Sequence, residues 1–82
     1  MNTPLLRHMI AAGAITDVCV RATSGGYILT VQIGPNDVVL EAQRGGARIF
    51  RSLDAAARFV HGVGAGKFDV DLSKFSASRA LM

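Results

Sequence analysis

Three stretches of aliphatic alternation, running from Val18 to Ala42, constrain what this chain can fold into more than any other feature. Successive side chains of an extended strand point to opposite faces, so a period of two marks a strand with one buried face. In the first stretch Val18, Val20 and Ala22 oppose Cys19 and Arg21. In the second, Tyr27, Leu29, Val31 and Ile33 oppose Ile28, Thr30 and Gln32, and in the third, residues 37–43, Val38, Leu40 and Ala42 oppose Val39, Glu41 and Gln43. Ser24, Gly25 and Gly26 are expected to supply the positive-φ residues of a tight hairpin, and Gly34, Pro35 and Asn36 to make the second turn. The result is an antiparallel meander with one face on a core.

A one-sided sheet must be covered, and the flanking segments change to helical spacing. Thr3 reads as an N-cap with Pro4 at the first helical position, Leu5, Leu6, Met9 and Ile10 as a buried stripe, and Gly13 as the terminator; Arg7, His8 and Ala11 fall outside the stripe. Arg44, Gly45 and Gly46 lead into Ala47–Arg51, expected as a short fourth strand. Ser52 then caps a second helix, with Asp54 in its first turn and Leu53, Ala56, Ala57, Val60, Val63 and Gly64 facing the core. Asp54, Arg58 and His61 take the opposite side, and Gly62, Gly64 and Gly66 end the helix. A final strand over Lys67–Leu72 is expected to send Phe68, Val70 and Leu72 inward. The reading is an α+β fold: a short N-terminal helix, a three- to four-stranded antiparallel meander, a second helix packed on the sheet, and a final strand. Residues 1–72 form the single domain; residues 73–82 form a tail that is loose or contributes to a dimer.

Half of the residues are apolar and 18% are charged, too hydrophobic a balance for disorder. A chain of 82 residues nevertheless hides only about 60–65% of the surface its unfolded chain exposes, less than larger domains do, so burial against a second copy, as a homodimer, is expected. The single cysteine, Cys19, excludes an internal disulfide and a Cys-rich zinc site. No secretory apolar region or apolar run of about 18 residues is present, which points to the cytoplasm and away from a membrane.

Reactive constellations are sparse. His8 and His61 stand on the polar sides of different helices without metal-ligand spacing, and read as solvated surface groups. Cys19 reads as a small filler on the sheet. Asp69 and Asp71 share a strand face and could hold a magnesium ion beside a phosphate, but lack a third ligand; a charged outer face guarding a sheet edge is the simpler account. The pairs Gly25-Gly26 and Gly45-Gly46 fit no nucleotide loop and read as turns. No cofactor is implied, and a non-enzymatic protein is expected. The feature with functional content is basic: Arg44, Arg48, Arg51 and Arg58 lie in one segment with Asp54 as the one acid. Guanidinium groups near a helix N-terminus suit phosphates or partner carboxylates, although a solvated basic edge accounts for the same pattern.

The stretch RGGARIFRSLDAAARFVHGVGAGKFDVDLS at 44–73, with the opening NTPLLRHMIAAG and the hairpin VCVRATSGGYILTV, resembles small plasmid-borne partition-associated proteins of ParC-like type. Its central motif is Phe50-x-Ser52-Leu53-Asp54-Ala55-Ala56 ahead of a helix. The resemblance implies an accessory role in plasmid partition or maintenance, and the arginine edge is expected to make the contact with DNA or a partition protein. The alternative is a structural adaptor that dimerises through its aliphatic sheet surface and C-terminal tail.

Overall fold

In the computed structural model, which describes residues 1–75, the first two alternating stretches pair as expected, whereas the third, expected over residues 37–43, is a strand only as far as Val39. β1 (Asp17–Thr23) runs antiparallel to β2 (Gly26–Ile33) from Asp17↔Gln32 to Thr23↔Gly26, and β3 (Asn36–Val39) runs antiparallel along the other side of β2. Partners in register share a face, so Val18, Val31 and Val38 line up with Val20, Leu29 and Leu40 on one side. Val20, Leu29, Val31 and Leu40 are buried there. The hairpin needs fewer special conformations than expected: of its three turn residues only Gly26 has positive φ, at +141°.

Two helices cover that face. α1 (Thr3–Ala11) is capped by Asn2, whose side-chain oxygen accepts from the Leu5 amide at 2.9 Å. This corrects the expected Thr3 cap by one residue: Asn2 is extended, at φ −92° and ψ 169°, and reaches a free amide of the first turn, while Thr3 is already helical. Gly13 closes the helix at φ +74°. Leu6 alone of the α1 stripe is buried, and Leu5 stays 45% exposed because the short helix meets the sheet along a narrow line. α2 (Leu53–Gly62) starts at Ser52, whose hydroxyl accepts from the Ala55 amide at 3.1 Å. Ala56, Val60 and Val63 seat it on Val20, Leu29 and Phe50. Each large buried aliphatic group here contributes about 1.5–3 kcal/mol relative to exposure. The Arg7 guanidinium donates to the Gly62 carbonyl at 2.9 Å, placing a cation at the C-terminal end of α2.

Two expected strands change character. Ala47–Arg51 is not a strand: it makes single bridges, Glu41↔Ala47 and Tyr27↔Phe50. The chain leaves β2 after Leu40, whose amide still donates to the Leu29 carbonyl at 2.9 Å, and Phe50 takes over the place beside Tyr27 with reciprocal backbone hydrogen bonds of 2.9 and 2.7 Å. The fourth strand is instead β4 (Asp69–Asp71), which lies parallel to β1 in the order β3-β2-β1-β4. The crossover through α2 supplies the long connection that parallel strands require. Val70 pairs with Val20 and so shares the helix-covered side, yet Val70 is 40% and Leu72 50% exposed. The expected inward packing of these two fails because β4 lies at the sheet margin, beyond the helices.

The other face of the sheet carries no helix among the described residues. Asp17, Cys19, Arg21, Ile28, Thr30, Gln32, Asp37, Val39, Asp69 and Asp71 belong to it by register. Arg21 reaches from β1 across β2 to Asp37 on β3 at 3.8 Å, which accounts for Thr30 being only 5% exposed on an otherwise open surface.

Candidate functional site

The expected arginines sit on the connection from β3 to α2 and on the first turns of α2, held in place by three local devices. The chain reverses at Gly45 and Gly46, with φ of +92° and +70°, and the Ala42 amide donates to the Gly46 carbonyl at 2.9 Å. The Arg48 amide donates to the Leu40 carbonyl at 2.9 Å, which fixes the returning segment. Ser52 then begins α2.

The four side chains stand in three different environments. Arg48 is half-buried, with its guanidinium carbon 5.0 Å from the ring centre of Phe50 and 4.7 Å from that of Phe59. A cation over two ring faces is attracted by both quadrupoles and covers apolar area with its stem, so Arg48 joins the loop to α2. Arg58 is exposed and paired with Asp54 at 3.0 Å one turn away, an interaction of about 0.3–0.5 kcal/mol. Arg44 and Arg51 are exposed and make no ion pair among the described residues. Two of the four are therefore free to meet an anion, one is locally compensated, and one is largely structural.

An open groove of about 900 Å³ lies beside this segment, lined by Asn2, Thr3, Pro4, Gln43, Gly45 and Arg48. It brings the N-terminal end of α1 to the arginine-bearing loop. Glu41, also in the lining, is tied to Met1: the Met1 carbonyl accepts from the Glu41 amide at 2.8 Å, and the Met1 amine lies 2.9 Å from the Glu41 carboxylate.

The remaining candidates do not converge. His8 and His61 are exposed on separate helices, and no group of three or more metal-binding side chains occurs among the described residues. Cys19 is half-buried on the open sheet face beside Asp69. Asp69 and Asp71 do share that face, but Asp71 is engaged in ending the strand: its carboxylate accepts from the Ser73 amide at 2.9 Å and the Ser73 hydroxyl at 2.7 Å. The Ser73 amide first, then its hydroxyl, hold the Asp71 carboxyl below its usual value of 3.8. Arg21, with its pairing to Asp37, escaped the sequence reading because two residues on strands that are not neighbours in the sheet share no local spacing. The Arg48 contacts were partly legible, since residues 48 and 50 of an extended segment point to the same side.

Among the described residues no helix is long and apolar enough to cross a membrane. Compared with known protein families, residues 1–78 match the family model described as ParC-like. No curated protein and no solved structure matches the chain.

Proposed function

The chain belongs to the ParC-like family, and from that premise we propose that it is a non-enzymatic accessory protein of plasmid partition or maintenance that contacts DNA through its arginine edge. The observation that carries this reading is the exposure of Arg44 and Arg51, without carboxylate partners among the described residues, on either side of an Arg48 anchored between Phe50 and Phe59. Exposed guanidinium groups on a loop anchored through Arg48 suit phosphate oxygens, and such contacts give affinity and orientation without reading bases. The protein acts in the cytoplasm in this reading, and a homodimer would double the number of phosphates reached. The test is electrophoretic mobility of duplex DNA with the full chain at low and at moderate salt. A shift that weakens as salt rises supports the reading; absence of a shift at both salts removes DNA and leaves a partition protein as the ligand of the same edge.

A second reading, a structural adaptor, draws on the exposed apolar side chains Leu5, Ile49, Val70, Leu72 and Phe75. Most of the tail invoked for it, residues 76–82, lies outside the described residues. Light scattering of the full chain tests this second reading: a monomer across the accessible concentration range excludes the dimerising adaptor.

A further inference from the structure

Both margins of the sheet end in an edge strand, β3 on one side and β4 on the other. Past the end of β3 the chain is tied down, since Met1 hydrogen-bonds to Glu41 and residues 47–50 bridge back to Glu41 and Tyr27. β4 pairs with β1 on one side and has no strand on its other side among the described residues. That margin carries a regular chemical pattern. Asp69 and Asp71 project to the open face with Cys19 and Arg21, while Val70 projects to the opposite face, followed by Leu72 just past the strand end. Arg21 is drawn to Asp37, and neither Asp69 nor Asp71 has an ion-pair partner within 4.0 Å among the described residues. Backbone donors and acceptors along an unpaired edge offer a template for one more strand.

The pattern also says which strand fits. A second copy of β4 added antiparallel about Val70 would set Asp69 of each copy against Asp71 of the other, and directly opposed like charges are destabilising. The β3 margin, with Asp37, repeats the problem. A strand bearing lysine or arginine at every second position would instead meet the two carboxylates, with aliphatic residues between them covering Val70 and Leu72. We propose that the outer edge of β4 accepts an extended segment of a basic partner protein in which Lys or Arg alternates with aliphatic residues. The surface is separate from the arginine edge and does not depend on DNA binding there.

The test uses the full chain and a short fluorescent peptide of alternating lysine and valine, followed by anisotropy and by amide chemical shifts. The expected result is salt-sensitive binding with shifts centred on residues 68–72. A glutamate–valine peptide, and the lysine–valine peptide N-methylated at alternate amides, should each bind at least about tenfold more weakly, the first by charge and the second by lost ladder bonds. Asp69→Lys should cause a similar loss, with Asp69→Asn as the milder variant and circular dichroism confirming that both fold. Arg44→Ala and Arg51→Ala should leave peptide binding unchanged, so failure here and failure of the DNA reading are distinguishable. Equal binding of the N-methylated peptide, shifts centred on the arginine edge, or no binding of the lysine–valine peptide would each overturn the proposal.

Discussion

At Gly26 the chain has no room for a side chain. A Cβ there would lie 2.4 Å from the Phe50 carbonyl oxygen and 2.9 Å from Ile49 Cγ2, on a backbone at φ +141°. This contact is where residues 47–50 replace β3 along β2, so strain at Gly26 reaches the loop that carries the arginines. Gly26→Ala is expected to cost about 2 kcal/mol or more from positive φ and steric displacement together, seen as a lower urea midpoint with unchanged m-value. Arg48 makes a different prediction from its neighbours. Arg48→Ala removes two ring contacts and the packing of the stem, a loss of about 1–2 kcal/mol, or roughly 4–8 °C per kcal/mol in a domain of this size. Arg44→Ala and Arg51→Ala should lie within about 0.5 kcal/mol of the parent by the same thermal melt, as exposed substitutions do.

β4 shows how an element can be brief and still fixed in place. Its three residues are held by register with Cys19, Val20 and Arg21 and stopped by the turn in which Asp71 accepts from Ser73. The Asp71 carboxyl is held below 3.8, by the Ser73 amide before any other cause, so the folded state binds its proton less readily than the unfolded chain. The stability this adds is present above 3.8 and is lost as pH falls through the depressed folded value. Asp71→Asn keeps an acceptor oxygen but no charge. Urea midpoints of parent and variant should differ at neutral pH and converge below 3.8; a constant difference would show that Asp71 does not titrate with folding. The segment at 47–50 makes the opposite point. Its apolar alternation suits a strand, but β3 already occupies the neighbouring length of β2, so it pairs only where β3 has departed.

The molecule as a whole is two-sided in charge. By register the open sheet face bears Asp17, Asp37, Asp69 and Asp71 against Arg21, whereas Arg44, Arg48, Arg51 and Arg58 belong to the loop and helix beyond it. A net charge of +3 therefore understates how directional approach to a polyanion would be. If Arg44 and Arg51 each neutralise a phosphate, replacing either by alanine should reduce the slope of log binding constant against log salt by about one, as read from titrations at several salt concentrations. Arg58→Ala should change it less, because its partner Asp54 is released at the same time. By itself the sequence determined both helices, the Ser52 cap, the three-stranded meander and its buried face, because alternation, helical spacing and capping are properties of neighbouring residues. It also located the basic segment. Only the tertiary structure decided that β4 runs beside β1 in parallel, that Val70 and Leu72 remain exposed at the margin, that Arg21 reaches Asp37, and that Arg48 lies over the ring of Phe59. Each of those outcomes depends on which distant segment arrives first at a shared edge, ring or carboxylate, and local spacing carries no information about that competition.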